Sequence, residues 1–337
     1  MTSMSPAQPL RSILGPLIAS YLALKRALGR LFTVEKNVLL ALDRFLASSV
    51  SGSADLTSES FAAWGQSIAH LSSGVRRNHM RIVRNLCLYR RRNEPSCFVP
   101  DIAHFPPLHQ PIEPYIFTEA DIRRLLQATE ALTPTPGSPL RRETFRLAIV
   151  LLYTAGLRRR ELVRLTLADF NSLECCLTVR ATKFHKARLV PLSADAAREV
   201  EDYLKTRSAH HLPMGPDTPL LWNGYYGGRP YCGGGIGQGM RCLFRTAGVH
   251  KPDGHLPRVH DFRHTFAVHA LLRWYRSGVD LQAKLPHLAT YMGHVSIVST
   301  EYYLHFVQEI AQEASQRFEK YCGRLISPVP AGKEALP

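Results

Sequence analysis

The sequence contains no stretch of about 18 uninterrupted apolar residues, the length that a membrane-spanning helix requires, so we expect no membrane segment. The first twelve residues, MTSMSPAQPLRS, lack a basic segment followed by a long apolar core and a cleavage site, which predicts no secretory signal. The seven cysteines, with Cys175 and Cys176 adjacent, form neither a disulfide framework nor a CxxC metal knuckle. We therefore expect buried thiols in a reducing cytoplasm.

Acidic residues are also scarce, because 42 Lys and Arg stand against 27 Asp and Glu. The formal net charge is +15 and the sequence pI is near 9.7. Such an excess predicts a polyanionic partner, DNA or RNA before any other. No RNP-like aromatic strand favours an RNA-binding module. A chain of 337 residues is long enough for two domains, each with its own core.

Two motifs of nucleotide and metal chemistry are incomplete. The stretch GGGIGQGM at 233–240 has no GxGxxG register and no following Lys-Ser or Lys-Thr, so it predicts no ATP site. We expect a flexible turn there, before a helix that starts near Met240. His260 and His264 lie one helical turn apart, but Asp261 stands where the zinc-protease pattern needs Glu. The sequence thus predicts neither a metal nor another cofactor.

The chain does contain a scattered set of cationic side chains that ends in a tyrosine. These residues are Arg158, Lys183, His260, Arg263, His294 and Tyr303. A phosphodiester under attack gains negative charge on its non-bridging oxygens, and fixed guanidinium and imidazole donors can stabilise that charge without a metal ion. A tyrosine hydroxyl can be the nucleophile and form a covalent intermediate. The set therefore predicts metal-free phosphoryl transfer on a nucleic acid.

The motifs that carry these residues resemble those of the tyrosine recombinases, the family of phage integrases and Xer-type site-specific DNA recombinases. They are GLRRREL, KFHKARLVPL, HDFRHTFA, and GH followed nine residues later by Tyr. GLRRRELVRL alone also fits a helix start with a solvated basic face, but the four motifs in this order and spacing are specific. The resemblance covers about residue 115 to about 320, with a weaker match upstream.

The resemblance implies a role for each residue. Tyr303 attacks the scissile phosphate, which forms a 3′-phosphotyrosyl bond and releases a 5′-hydroxyl. Arg158 and Arg263 hold the non-bridging oxygens from two sides, and His294 is a third donor. Because the phosphotyrosine conserves the energy of the phosphodiester, neither ATP nor a divalent metal is expected to be required.

Proton transfer is assigned in the same way. Lys183 is the implied general acid for the leaving 5′-oxygen, because aligning KFHKARLVPL with the family's KGxKxRxVPL pattern places it, and not Lys186, at the acid position. His260 assists proton transfer from the tyrosine or holds the phosphate. Tyr303 is favoured over Tyr302 because it lies nine residues after the histidine of GH and begins the family's Tyr-x-His ending.

Departures from the family pattern are small, with Arg159 where an aliphatic residue is usual and Val295 where serine is common. The resemblance favours the integrase or transposase of a mobile element, cytoplasmic and associated with the nucleoid. A type IB topoisomerase shares the chemistry but relaxes DNA without exchanging partners. A DNA-binding regulator without catalysis is the alternative from another class, and the complete residue set disfavours it.

A proline-rich stretch divides the chain. Residues 93–114 contain six prolines, which block regular helix and predict an extended linker. We expect a helical amino-terminal DNA-binding domain at 1–105 and a linker at 106–114. A catalytic domain with a carboxy-terminal docking helix follows at 115–326, and a tail at 327–337.

The last helix before the linker is strongly basic, with seven arginines and no acid between 76 and 92. Its arginines at helical spacing are Arg77, Arg81, Arg84 and Arg91. An ordinary amphipathic surface helix has a similar pattern. The absence of acids favours a DNA-contacting face, since each neutralised phosphate releases counterions and adds affinity. The resemblance implies the same, because the family's core-binding domain clamps DNA opposite the catalytic domain.

The catalytic part is predicted to be mainly α with a small antiparallel β-sheet. FTEADIRRLLQAT starts a helix with Thr118 as N-cap. An apolar helix, RETFRLAIVLLYTAG, ends near Gly156, which places Arg158 at a turn where Glu161 could orient it. CLTVR and ARLVPL indicate two short strands, and the segments from Val259, Leu281 and Ile297 indicate helices.

A last apolar stripe follows the candidate tyrosine at helical spacing: Val307, Ile310, Ala314 and Phe318. The stripe could pack on its own domain. The resemblance implies docking onto a neighbouring protomer instead, in a homo-tetramer or in an assembly with related recombinases, which holds double-stranded DNA with paired recombination sites.

Overall fold

A computed structural model of the chain describes residues 10–30, 32–48, 55–107, 113–180, 187–224, 228, 230–293 and 303. The chain separates into two compact units, Met1–Ile112 and Glu113–Pro337. Their boundary falls within the segment expected to be the linker. None of the described helices is long and apolar enough to cross a membrane.

The first unit is helical in its described part. Its helices are α1 (Gly15–Ala27), α2 (Thr33–Ser48), α3 (Ser58–Ser67) and α4 (Ser73–Arg90), followed by a single 3₁₀ turn at Ile102–His104. One apolar cluster joins them, with Leu39, Trp64 and Leu86 among its fully buried members. Asp43 of α2 is buried as well, and it accepts hydrogen bonds from the backbone and hydroxyl of Ser12, which fixes the start of α1.

The second unit combines helices with a small sheet. In chain order its α-helices and strands are α5 (Glu119–Thr129), α6 (Arg141–Thr154), α7 (Arg159–Leu162), β1 (Phe170–Asn171), β2 (Cys176–Val179), β3 (Arg188–Pro191), α8 (Ala194–Ala209), α9 (Gly233–Thr246), α10 (Asp261–Arg276) and α11 (Leu281–Met292), with a 3₁₀ turn at Leu167–Asp169 before β1. Thr118 caps α5 as expected, because its hydroxyl accepts from the backbone N–H of Asp121 and the Asp121 carboxylate accepts from Thr118. The prediction of a mainly α fold with a small antiparallel sheet is confirmed.

The sheet is antiparallel, in the order β1-β2-β3. Leu177 of β2 stands opposite Val190 of β3, and both are buried. Since strand side chains alternate between the two faces, Arg188 lies on the same inward face as Val190, whereas Leu189 is 63% exposed. The β3 strand thus directs a cation toward the interior of the unit.

An aromatic stack connects the start of α5 with α9 and α10. Phe117 lies 4.3 Å from the Phe262 ring and 5.7 Å from the Phe244 ring, in stacked geometry. Its backbone N–H donates to the hydroxyl of Thr265 at 3.0 Å. The first turn of α10, where two candidate site residues lie, is therefore packed against a rigid core.

The glycine-rich stretch 233–240 is helical, so the prediction of a flexible turn there was wrong. The Cys232 thiol caps α9 by accepting from the backbone N–H of Gly235. Glycine is needed because a Cβ added at Gly239 would lie 2.0 Å from the Phe145 ring. Burial of Ile236 and Met240 then outweighs the poor helix propensity of glycine.

Candidate active site

Arg158 lies at the sharp turn between α6 and α7. Gly156 makes this turn with φ of +58°, and a Cβ there would lie 2.6 Å from the Phe266 ring. Arg158 then caps α7, where Glu161 at the third helical position accepts from the Arg158 backbone N–H at 2.9 Å and from its Nη1 at 2.8 Å. Glu161 therefore orients Arg158, as its sequence spacing predicted.

Glu161 also binds a second arginine, which sequence reasoning missed. Arg188 donates from Nη1 and Nη2 to the two carboxylate oxygens at 3.1 and 2.8 Å. Burial alone opposes ionisation of this 5% exposed side chain, but the hydrogen bonds from Arg188 and Arg158 lower the pKa of Glu161 to about 2. The carboxylate is thus permanently charged near neutral pH and shared by the two guanidinium groups.

Arg263 lies in the first turn of α10 and is 1% exposed. Its Nη1 donates to the carbonyl of Gly156 at 2.7 Å, and its Nη2 donates to the carbonyl of Met292. Burial, followed by the positive charge of Arg158, lowers the pKa of Arg263 to about 10. Two guanidinium groups so close that they affect each other create a local excess of positive charge, and an anion bound between them would relieve it.

Three rings form the other side of the site. The His264 ring packs edge-on against the His260 ring at 4.8 Å and against the Tyr303 ring at 5.4 Å. Tyr303 is 3% exposed, and it belongs to one apolar cluster with Leu271 of α10 and Leu288 of α11. Tyr303 is also close enough to Arg263 to influence its pKa. The candidate nucleophile and the buried guanidinium therefore belong to one site.

Both histidines favour the neutral form. Burial, with a smaller contribution from His260, lowers the pKa of His264 to about 4. Partial removal of the His260 ring from water, then Arg263 and Arg258, lower the pKa of His260. A neutral imidazole can accept a proton, which suits the role in proton transfer that the sequence predicted for His260.

The sequence-predicted residues fall into two groups. The structure brings together Arg158, His260, Arg263 and Tyr303. Lys183 and His294 lie outside the described residues, as do Tyr302 and the stripe from 307 to 318, so their assigned roles stay predictions. In the described part of the chain, no group of three or more His, Cys, Asp or Glu side chains could hold a metal ion.

Arg258 is a second cation that sequence reasoning missed. Asp261, with a fully buried side chain, accepts from the Arg258 backbone N–H at 2.8 Å and from its Nη2 at 2.8 Å. The same arrangement joins Arg158 to Glu161, and both pairs have the spacing Arg-x-x-Asp/Glu. That repeated spacing is the sequence signal that could have identified Arg258.

In the first unit, the four arginines predicted to contact DNA differ in their surroundings. Arg77 donates to the carbonyl of Pro106 at 2.5 Å, and Arg84 donates to the carbonyl of Pro100 at 3.0 Å. Both therefore hold the segment that follows α4. Arg81 and Arg91 are exposed, and Arg81 donates to the side-chain oxygen of Asn78 in its own helix. These two are the more available for a phosphate.

Comparison with known proteins identifies similar chains. The model of the Phage integrase family matches residues 116–309. A putative integrase/recombinase of Sinorhizobium fredii is 32% identical over 305 residues, which are 90% of this chain and 96% of that protein. The tyrosine recombinase XerD of Caulobacter vibrioides is 32% identical over 199 residues, 58% of this chain and 59% of that one.

Solved structures show the same fold. The Tn1549 transposon integrase in complex with a circular intermediate DNA has a TM-score of 0.61 at 19% identity, over 90% of this chain and 99% of that chain. The XerH site-specific recombinase bound to a palindromic difH substrate has a TM-score of 0.60 at 18% identity, over 85% of this chain and 79% of that chain.

Proposed function

The chain belongs to the phage integrase family and is a tyrosine recombinase, and from this premise we propose that it cuts and rejoins double-stranded DNA at specific sites with Tyr303 as the nucleophile. The observation that supports this assignment is that Tyr303 packs against the ring of His264, the residue after the buried Arg263. Arg263 and Arg158 in turn bind the adjacent carbonyls of Met292 and Gly293. Two permanent positive charges next to a tyrosine provide the environment that a pentacoordinate phosphate requires.

The reaction divides into steps that these residues support. Tyr303 attacks the scissile phosphorus, the bond to the 5′-oxygen breaks, and a 3′-phosphotyrosyl bond replaces it. Arg158 and Arg263 stabilise the charge that develops on the non-bridging oxygens, with His294 as a third donor. Lys183 supplies the proton that the leaving 5′-oxygen needs. His260 takes part in proton transfer from the tyrosine.

Rejoining follows when a 5′-hydroxyl of a partner duplex attacks the phosphotyrosine and releases Tyr303. The energy of the phosphodiester is conserved in the covalent intermediate, so the proposal involves no ATP, and charge stabilisation is assigned to guanidinium groups. We assign residues 115–326 to this chemistry and residues 1–105, with Arg77, Arg81, Arg84 and Arg91, to binding DNA. Two paired sites held by a homo-tetramer are the proposed assembly of the integrase or transposase of a mobile element.

The nucleophile is tested with a nicked suicide substrate, which loses its 5′-hydroxyl fragment after cleavage and traps the covalent adduct. The DNA that flanks the encoding gene supplies candidate inverted repeats for this substrate, and the reaction contains excess EDTA. We expect Tyr303→Phe to abolish the adduct and to leave DNA binding nearly unchanged, because only the attacking oxygen is removed. Mass spectrometry of the trapped peptide should place the phosphodiester on Tyr303.

Tyr302→Phe is the matched control. A helix turns about 100° per residue, so adjacent tyrosines cannot both face one phosphate, and this variant should keep forming the adduct. An adduct on Tyr302 would show that the register is wrong. An absence of any adduct in the wild-type protein, on a site that it binds, would overturn the catalytic proposal, and activity only after magnesium is added would overturn the assignment to guanidinium groups.

A further inference from the structure

Three arginines bind three consecutive carbonyls at the end of α11. The Tyr291 carbonyl accepts from Nε of Arg188 at 2.8 Å, and the Gly293 carbonyl accepts from Nη2 of Arg158 at 2.8 Å. The Met292 carbonyl between them accepts from Nη2 of Arg263. A helix leaves its last carbonyls without intrahelical partners and carries partial negative charge there, so cations are favoured at this end.

Gly293 makes this arrangement possible. It ends α11 with φ of +63°, a conformation that favours glycine. A Cβ at this position would lie 3.0 Å from Nη1 of Arg188 and 3.5 Å from Nη1 of Arg158. The close approach of two guanidinium groups to the backbone therefore depends on the missing side chain. Tyr303 follows Gly293 by ten residues in the sequence.

Arg188 differs from Arg158 and Arg263 in the groups that its side-chain nitrogens bind. All three of its side-chain nitrogens bind protein groups: Nε binds the Tyr291 carbonyl, and Nη1 and Nη2 bind the Glu161 carboxylate. Its side chain is 17% exposed. A guanidinium group used in this way connects β3, α7 and the end of α11, with three of its five N–H donors bound to protein groups.

We propose that Arg188 is a positioning residue for DNA cleavage, which fixes Arg158 through Glu161 and fixes the end of α11 through the Tyr291 carbonyl. The inference rests on the proposed function. One rigid planar group sets the distance between Arg158 and the turn from which the chain continues to the nucleophile. Small displacements of reacting groups cost about a hundredfold in rate, so loss of this connection affects the chemical step more than the binding of DNA.

Lysine cannot replace Arg188 in this role. An ammonium group is a point charge on a flexible stem, whereas the guanidinium fork bonds Glu161 with two nitrogens and Tyr291 with the third. Without the fork, Arg158 is the one charged partner left to the buried carboxylate among the described residues. Arg158 is then drawn toward Glu161 and away from the phosphate position.

The test uses the full chain and measures the single-turnover rate of adduct formation at saturating suicide substrate, with DNA affinity measured separately. We expect Arg188→Ala and Arg188→Lys to lower the rate by about tenfold to a hundredfold while the dissociation constant for DNA changes by less than about threefold. Arg188→Lys keeps the charge and most of the volume, so it serves where the alanine variant fails to fold.

Arg180→Ala is the matched control, because Arg180 donates at 2.6 Å to the buried carboxylate of Asp169 and lies just after β2 in the same small sheet. Unlike Arg188, it does not bind the carbonyls at the end of α11 that the structure describes. This variant should lose stability and keep the wild-type cleavage rate at a temperature where it is folded. Equal rate defects in the Arg180 and Arg188 variants would reduce Arg188 to a structural ion pair and overturn the inference.

A double-mutant cycle adds a readout that general destabilisation does not produce. If Arg188 acts through Glu161, the rate defects of Arg188→Ala and Glu161→Gln are not additive, and the double variant should be little slower than the slower single variant. Additive defects would contradict the connection. A wild-type protein that forms no adduct would instead overturn the proposed function, so the two failures are distinguishable.

Discussion

At the scale of single residues, the ionisable groups around Tyr303 have protonation states that their burial and neighbours determine. Glu161 keeps its charge because two arginines bind it, whereas His264 loses its charge because burial removes its ring from water. In both cases the folded structure fixes the charge state of the side chain near neutral pH. The site is preset with permanent guanidinium charge and neutral imidazole, so binding a phosphate requires no prior proton uptake or release.

The lowered pKa of His264 makes the stability of the folded chain depend on pH. Its pKa falls from the usual 6.5 to about 4 in the folded chain, so the unfolded chain binds a proton first as the pH decreases. The stabilisation that comes from the neutral ring is therefore present above pH 6.5 and is progressively lost as the pH falls toward 4. The loss amounts to about 3 kcal/mol in the free energy of unfolding.

Urea unfolding of the second unit at pH 7.5 and pH 5 measures this effect. His264→Gln should be less stable than wild type at pH 7.5 and should show a smaller decrease in stability between the two pH values. His210→Gln, which changes an exposed histidine at the end of α8, is the control and should keep the wild-type decrease. An unchanged pH dependence in His264→Gln would show that its folded pKa is not depressed.

At the scale of elements, α9 shows how packing can select a helix against local propensity. Its first turn is made of glycines, yet Ile236 and Phe244 are fully buried and the Gly239 backbone lies against Phe145 of α6. The helix exists because this approach buries apolar surface that a flexible turn would leave exposed. Position 239 requires glycine because α6 leaves no room there for a Cβ.

Gly239→Ala should therefore destabilise the second unit, because the new Cβ would lie 2.0 Å from the Phe145 ring. We expect a loss of about 1–3 kcal/mol from overpacking, measured by urea unfolding. Gly234→Ala in the same helix is the matched control, since its Cβ would meet nothing nearer than the Cys232 sulfur at 3.7 Å. It should be neutral or stabilising by up to about 1 kcal/mol. Equal destabilisation of both variants would refute the packing explanation.

Local signals predicted some elements and not others. The cap at Thr118, the strands around Leu177 and Val190 and the contact of Arg158 with Glu161 depend on residues close in sequence, and the structure contains them. The α9 helix depends on Phe145, which is far away along the chain, and no local pattern reveals it. The carbonyl contacts of the site arginines could not be predicted either, because backbone carbonyls carry no sequence signature.

At the scale of the whole molecule, ion pairs between arginines and carboxylates cancel equal numbers of positive and negative charges, so the formal excess of +15 remains on cations outside these pairs. Several described carboxylates already bind arginines at their own sites, including Asp55, Asp121, Asp169 and Asp261. Exposed cations without such partners therefore dominate the surface charge that a polyanion meets. Arg81 and Arg91 of the first unit are exposed and form no ion pair with any described carboxylate.

The salt dependence of DNA binding tests whether this charge contacts phosphates. The logarithm of the association constant falls with the logarithm of salt concentration, with a slope of about −0.9 for each phosphate neutralised. If Arg81 and Arg91 each neutralise one phosphate, replacing both by alanine should make the slope less steep by about 1.8 and weaken binding at every salt concentration. Fluorescence anisotropy with a labelled duplex measures both quantities.

Two further variants make the result specific. Arg44→Ala removes an exposed cation from α2 of the same unit and should leave the slope unchanged if contact, and not net charge, sets it. Arg77→Ala with Arg84→Ala also removes the bonds to the Pro106 and Pro100 carbonyls, so this pair should lower stability as well as affinity. A wild-type slope in the Arg81 and Arg91 variant would mean that this part of α4 faces solvent in the complex, and the DNA-binding role proposed for it would then be wrong.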